Sequence, residues 1–165
     1  MGSLIRKSRR LNIVFIFSFV LFLTNTSCND KDVYYRFHEL KDAEWDQKDT
    51  VSFEIDSSIF ELNKPYSLTL ELTNNVNYPY QNIWFFIREN IDNDSIFTNK
   101  EKEIQLADNF GRWQGSGFGN LYQSSLPLDK ITFREKRNYL IKIVHGMRDQ
   151  KLYGIEKVGI KISLE

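Results

Sequence analysis

The chain contains one cysteine and two histidines among its 165 residues. A single cysteine cannot form an intrachain disulfide, so the fold has to be stabilised by an apolar core. His38 and His145 are far apart, and neither has another histidine or a cysteine at ligand spacing, which argues against a zinc site. We therefore expect no metal and no other cofactor. His145 stands before Gly146 at the end of an apolar run, where a hydrogen-bonded structural histidine is expected.

Signatures of catalysis are also lacking. No serine occupies a G-x-S-x-G elbow. The glycine-rich segment GRWQGSGFGNLY, residues 111–122, has Asn120 where a dinucleotide fingerprint needs a third glycine, and it lacks the lysine of a Walker loop. A glycosidase pair could in principle be drawn from four nearby carboxylates, although such a cluster is more often a solvated loop; they are Asp42, Glu44, Asp46 and Asp49. A hydrolase is accordingly the weakest hypothesis, and we expect no catalytic residue.

The N-terminus has the order of a secretory signal peptide. Four basic residues without an acidic one (Arg6, Lys7, Arg9 and Arg10) precede the apolar run LNIVFIFSFVLFL at residues 11–23. A membrane-spanning helix needs ~20 apolar residues, and this run is shorter. The pattern predicts export, with residues 1–27 forming the signal peptide.

Cys28 follows the small residues Thr26 and Ser27 directly after this apolar run. One interpretation is a buried thiol or half of an intermolecular disulfide. The favoured one is acylation after cleavage before Cys28, although Asn25 stands where a lipobox prefers leucine. Each buried methylene of a fatty chain such as palmitate contributes ~0.8 kcal/mol, so a multiply acylated cysteine would hold the protein on a membrane. Residues 28–32 are then the acylated cysteine and a short charged tether.

The chain after the signal is mildly acidic. Beyond residue 27 there are 18 basic and 22 acidic side chains, which leaves no basic footprint for nucleic acid. The 138 remaining residues suit one domain, expected at 33–165, with neither repeats nor low-complexity blocks.

Apolar residues recur with a period of two, which predicts strands half buried on one face. Clear examples are Val51–Ile55, Tyr66–Thr73, Tyr139–Val144 and Val158–Leu164, with shorter candidates at Val33–Phe37 and Ser95–Thr98. IWFFI, Ile83–Ile87, reads as a central strand buried on both faces. Asn99–Ala107 is the best helix candidate but is as easily a strand. Seven or eight short strands without crossover helices predict a single antiparallel β-sandwich.

The glycine-rich segment is the most unusual stretch. Its glycines are expected to permit positive φ or close backbone approach beside Trp113 and Phe118. It is also the candidate interaction loop, comprising Gly111, Arg112, Trp113, Gly115, Gly117 and Gly119. Exposed aromatic residues could stack on sugars or anchor an interface, whereas buried ones would fill the core. We expect Trp84 in the core, while Trp113 could lie in either place.

Four stretches carry a resemblance to a known family. They are YYRFHELKDAEWDQKDTVSFEI from Tyr34, NNVNYPYQNIWFFI from Asn74, LADNFGRWQGSGFGNLY from Leu106 and HGMRDQKLYGIEKVGIKIS from His145. In this order, after a lipoprotein signal, they resemble the gliding-motility lipoproteins called GldH of the Bacteroidota.

The resemblance implies an envelope lipoprotein that is anchored at the outer membrane through Cys28. It also implies that this lipoprotein serves the gliding apparatus and the associated type IX secretion route. It carries over no catalytic residue, and in a host that does not glide it implies a more general envelope role. The leading hypothesis is thus a non-enzymatic protein that holds other envelope components. The alternative is a surface glycan-binding lipoprotein that uses exposed aromatic residues.

Overall fold

Alternating apolar and polar side chains fold residues 31–165, the part of the chain that the computed structural model describes, into eleven strands. The strands are β1 (Asp32–Glu39), β2 (Glu44–Asp46), β3 (Val51–Ile55), β4 (Pro65–Asn75), β5 (Asn82–Glu89), β6 (Thr98–Gln105), β7 (Ser116–Phe118), β8 (Leu121–Thr132), β9 (Tyr139–His145), β10 (Lys151–Tyr153) and β11 (Ile155–Leu164). A single 3₁₀ turn at Lys41–Ala43 is the only helical element of residues 31–165.

Every strand pair in the described chain is antiparallel. A five-stranded sheet has the order β1-β11-β4-β8-β7, and a four-stranded sheet has the order β3-β9-β5-β6. Strands β10 and β2 form a separate small ribbon. The predicted all-β, antiparallel sandwich is confirmed.

One apolar core joins the two larger sheets. Leu70 and Ile160 from the five-stranded sheet belong to the same buried cluster as Phe85 and Ile141 from the four-stranded sheet. At one end of this cluster Phe60 stacks on Phe133 with ring centroids 4.1 Å apart. Full burial of such a side chain contributes about 1.5–3 kcal/mol, so a core of this size can replace disulfides as the source of stability.

The strongest period-two segments are strands where the sequence predicts them. Val51–Ile55 is β3 residue for residue, while Tyr66–Thr73 and Tyr139–Val144 lie within β4 and β9. Val158–Leu164 is the second part of β11, and Val33–Phe37 lies within β1.

Two predictions need correction. Ile83–Ile87 lies in β5, which is indeed central between β9 and β6, but only one face of it is buried. Trp84 and Phe86 face solvent because no further layer covers that side. The candidate strand at Ser95–Thr98 instead begins at Thr98. For Asn99–Ala107, where the sequence left helix and strand open, the structure shows strand over most of the segment, as β6.

Strand β6 is the edge of the four-stranded sheet, and it points lysines inward. Lys100 and Lys102 alternate with the exposed Glu101 and Glu103. Lys100 Nζ reaches across the gap between the sheets, 2.9 Å from Glu89 Oε1 and 3.0 Å from Asp129 Oδ2. At this edge, ion pairs rather than apolar contacts therefore bridge the gap between the two sheets.

The signal peptide, Cys28 and most of the tether lie outside the described residues. Strand β1 begins at Asp32, where the predicted tether ends. Within residues 31–165, no helix is long and apolar enough to cross a membrane.

Candidate functional site

The glycine-rich segment is fixed to the sandwich at several points. Trp113 forms an isolated antiparallel bridge with Ala107, and Gln114 N donates to Leu106 O at 2.9 Å. Strand β7 then pairs with the start of β8, so the segment ends in a hairpin on the edge of the five-stranded sheet. The predicted loop is thus partly strand.

The glycines of this segment meet backbone requirements. Gly111 and Gly119 adopt positive φ, at 76° and 63°. At Gly115 a Cβ atom would lie 2.6 Å from Gln123 O, and at Gly117 it would lie 3.0 Å from the Tyr122 ring. These are the two uses of glycine that the sequence predicts, positive φ and close approach.

Arg112 helps to build the turn before the segment. Its Nε donates to Asp108 Oδ2 at 2.7 Å, and the backbone N–H groups of Phe110 and Arg112 both donate to Asp108 Oδ1 at 2.9 Å. The backbone bond from Arg112 is the main cause that lowers the pKa of Asp108. Asp108 therefore stays ionised and holds this turn in shape.

The aromatic residues around the segment divide into anchors and exposed rings. Trp113 is half-buried, packs against the core and lies 5.8 Å from the Tyr122 ring. Phe110 and Phe118, in contrast, are 85% and 88% exposed. The sequence indicates Phe118 only as bulk beside the glycines and gives Phe110 no distinct role, because nothing in the local pattern says which ring faces the core.

The three tryptophans do not share a surface. Trp45 is fully buried and donates from Nε1 to Asp49 O at 2.9 Å. Trp84 is 41% exposed on β5, so the expectation that it fills the core is wrong. The apolar neighbours that suggested a core position, Ile83 and Phe85, are themselves buried because they point to the opposite face.

Trp84 belongs to an aromatic face on the outside of the four-stranded sheet. Phe86 is also exposed there, beside Val144 on β9. Two cations flank these residues: Arg88 Cζ and Lys142 Nζ lie 5.6 Å and 5.2 Å from the centroid of the Phe97 ring. A hollow of about 300 Å³ lies over Phe86 and Lys142.

A larger cleft of about 430 Å³ lies beside Trp84 on the same face. Its lining is Tyr80, Asn82, Trp84, Gly146, Met147, Arg148 and Asp149. The Tyr80 hydroxyl donates a short hydrogen bond to Asp149 Oδ2, and this bond is the main cause that raises the pKa of Tyr80. Met147 Sδ lies 3.4 Å from Trp84 N, which keeps the loop after β9 against β5. The cleft thus combines one open indole with a polar rim.

The four carboxylates of residues 42–49 line one cleft of about 520 Å³, together with Lys151. Glu44 pairs with Lys151 at 2.8 Å, and Asp46 Oδ1 accepts from Lys48 N at 2.9 Å. Among residues 31–165, no group of three or more histidine, cysteine or acidic side chains is placed to hold a metal ion.

His145 is buried at the end of β9, as expected for a structural residue. Its ring lies edge-on to Trp45 with centroids 5.4 Å apart. Within residues 31–165 neither ring nitrogen makes a hydrogen bond of regular geometry, although backbone groups of Trp45 and Gln150 lie close enough to interact with the ring. Burial lowers the pKa of His145, against the opposing effect of the nearby Trp45 and Gln150 backbone.

Comparison with known sequences finds one family. The profile described as GldH lipoprotein matches residues 32–162. A protein of Christiangramia forsetii, named gliding motility lipoprotein GldH homolog, is 29% identical over 158 residues, which cover 91% of this chain and 93% of that protein. The gliding motility lipoprotein GldH of Flavobacterium johnsoniae is 28% identical over 145 residues, covering 83% of this chain and 87% of that protein.

Solved structures give only distant likenesses. Eiger TNF from S. frugiperda has a TM-score of 0.39 at 9% identity, over 79% of this chain and 90% of that one. A GH26-CBM35 β-(1,4)-mannanase of Podospora anserina has a TM-score of 0.39 at 10% identity, over 79% of this chain and 28% of that one. Likenesses this weak carry no argument about function.

Proposed function

The chain belongs to the GldH lipoprotein family, and from that membership we propose that it is a non-enzymatic component of the envelope machinery for gliding motility and the associated type IX secretion. In this role it is anchored at the outer membrane through acylated Cys28 and holds other envelope proteins in place. The names of both relatives support the motility role. Glu44 pairs with Lys151 and Asp46 accepts from the Lys48 backbone, which supports a structural rather than a catalytic role for these two carboxylates.

The observation that carries the assembly role is the exposure of Phe110 and Phe118. Aromatic rings are frequent anchors in protein interfaces, where their burial supplies much of the binding free energy. Both rings belong to a part of the chain that is held by Trp113 and by the β7–β8 hairpin. Because this segment is already held in place, little conformational entropy is lost in ordering it when a partner binds.

The frame is the role that we assign to the predicted interaction loop. Gly115 and Gly117 allow β7 to approach β8, and Gly111 and Gly119 form its turns. Trp113 holds the frame to the core. In this proposal the partner contacts the two phenylalanines, while the glycines and the indole keep them in position.

The test replaces both exposed rings in the native host. Phe110→Ser with Phe118→Ser should reduce gliding and secretion of type IX cargo while the amount of protein in the membrane fraction is unchanged, because neither ring packs in the core. Tyr153→Ser is the matched control. This ring is also exposed, but it lies on β10, which pairs with β2 and not with the strands of the glycine-rich segment.

A photocrosslinking amino acid in place of Phe118 identifies the partner directly. The proposal expects a discrete crosslinked product with another envelope protein, and no such product from position 153. Normal gliding and secretion by the double serine variant, together with no product from position 118, would overturn the assembly role of this segment.

A further inference from the structure

We propose that the cleft beside Trp84 binds a sugar ring of a gluco-configured glycan. The cleft is separate from the glycine-rich segment, and none of the residues that line it has a role in the assembly proposed above. Its volume of about 430 Å³ is in the range of pockets for small ligands.

The floor of the cleft is an indole that neighbouring strands leave open. Trp84 faces Glu103 on β6, and on the other side Gly146 N donates to Trp84 O at 2.7 Å. Gly146 also lines the cleft. A Cβ atom there would lie 3.0 Å from Phe86 Cε2, so the Phe86 ring occupies the space at that end. The opening is bounded by the loop after β9, through Gly146, Met147, Arg148 and Asp149.

The rim carries polar side chains that are held by bonds within the protein. Asp149 accepts from Tyr80 through Oδ2, which leaves its other oxygen able to accept from a ligand. Asn82 Nδ2 donates to Glu103 Oε1 at 2.5 Å, and its amide oxygen is a further acceptor. Arg148 adds a guanidinium to the lining. Asp149 and Asn82 are thus positioned before a ligand arrives.

This combination matches the chemistry of a pyranose. A gluco-configured ring has equatorial hydroxyls, so its two faces are flat arrays of C–H groups that can pack on an indole. The hydroxyls project from its edge, where carboxylate, amide and guanidinium groups can bond adjacent pairs of them. An aromatic platform with a planar polar rim therefore recognises the ring from its face and its edge at once.

Other occupants fit the cleft less well. An extended peptide binds a sheet by adding a strand to a free edge, but β5 is hydrogen-bonded on both sides, to β6 and β9. An anionic membrane surface needs a face of one charge, whereas Glu101 and Glu103 stand on the same face as Arg88 and Lys142. A neutral ligand with both donors and acceptors suits this mixed lining.

The experiment titrates the full-length protein with cellotriose and chitotriose. The protein is held in micelles of a detergent without a sugar headgroup, because a maltoside or glucoside would itself compete for the cleft. Binding is followed by tryptophan fluorescence and by saturation-transfer NMR of the sugar C–H protons. Wild type should bind at least one trisaccharide with a millimolar or lower dissociation constant, and saturation should be strongest on one face of a ring.

Three variants assign the binding to this cleft. Trp84→Ala should weaken it by about tenfold or more, Trp84→Phe should retain part of it, and Asp149→Asn should weaken it several-fold. Phe118→Ser is the matched control, because it removes a more exposed ring elsewhere and should leave the affinity unchanged. Near-UV circular dichroism checks that each variant keeps its fold.

Two results would overturn the inference. One is no binding of either trisaccharide up to about 20 mM, a concentration that corresponds to an affinity too weak for a built site. The other is equal binding by wild type and by both Trp84→Ala and Asp149→Asn. Neither result bears on the assembly role, which is measured by gliding, secretion and crosslinking at Phe118.

Discussion

Lys100 on β6 donates to Asp129 on β8 across the gap between the two sheets, with Nζ 3.0 Å from Oδ2. The same ammonium pairs with Glu89, whose side chain is only 2% exposed. Burial lowers the pKa of Lys100, but the bonds and charges of Glu89 and Asp129 outweigh this effect and raise it overall. This one cation therefore neutralises a buried carboxylate and links the sheets.

Lys100→Met should destabilise the protein by about 3 kcal/mol, because it leaves the Glu89 carboxylate buried without its counterion. Urea unfolding at pH 7 measures the change. Because the pKa of Lys100 is raised by folding, its contribution is complete below the ordinary lysine value of ~10.5 and is lost as the pH rises above it. Lys130→Met is the control: the pair with Glu165 is exposed and should be worth less than ~1 kcal/mol. Equal losses for the two variants would contradict this prediction.

The stability of the fold should fall as the pH drops below about 6.5, in part because of His145. Burial lowers the pKa of this histidine, so in mildly acidic solution the unfolded chain binds a proton that the folded chain does not. The loss begins at the ordinary histidine pKa and continues down to the lowered value, and nearby Asp46 and Asp149 reduce it. Urea midpoints between pH 5 and 7.5 should slope less in His145→Leu than in wild type. If the pH dependence of the urea midpoint is the same in His145→Leu and wild type, groups other than His145 cause the acid sensitivity.

Two glycines of the glycine-rich segment should differ in how much stability is lost when they are replaced. Gly115→Ala should cost about 2–3 kcal/mol, since its Cβ would meet the backbone oxygen of Gln123 at 2.6 Å. Gly119→Asn should change stability by less than about 1 kcal/mol, because nothing lies within 4 Å of that position and asparagine tolerates a φ of 63°. Thermal unfolding of the two variants makes the comparison. Comparable losses of stability at both positions would contradict the view that close approach at Gly115, more than positive φ at Gly119, requires glycine.

Cys28→Ala should release the protein from the membrane fraction or leave its signal peptide uncleaved, because acylation of this thiol is the proposed anchor. Fractionation and labelling with radioactive palmitate measure both effects, with wild type as the labelled control. Palmitate that still appears on the alanine variant would show that the anchor lies elsewhere.

The sequence predicts those strands whose alternation is regular and whose one face is apolar. Strand β8 is missed because LYQSSLPLDKIT does not alternate: Pro127 interrupts it, and the register with β4 shifts between Leu68 and Thr69. The orientation of β5 is also missed. Five consecutive apolar residues cannot reveal which of the two faces has a covering layer, because that depends on the position of distant strands.

The candidate site was predictable only in part for the same reason. The composition of the glycine-rich segment indicates positive φ and close backbone approach at its glycines. The sequence does not, however, distinguish the anchoring Trp113 from the exposed Phe118. The Trp84 cleft combines residues from two separate stretches, 80–84 and 146–149, which the pairing of β5 with β9 brings together. Since Trp113 packs on the core, its removal would disturb folding, and Trp84 is the cleaner probe of ligand binding.

The inward lysines of strand β6 have a further consequence for a protein that is held on a membrane. A lipid anchor confines many copies to two dimensions, where exposed sheet edges meet often and can join into continuous sheets. Strand association through β6 would bury Lys100 and Lys102 against another chain, and inward charges on an edge strand are a known barrier to such aggregation. Lys100 and Lys102, which point into this edge of the sandwich, therefore also oppose association between neighbouring copies on the membrane.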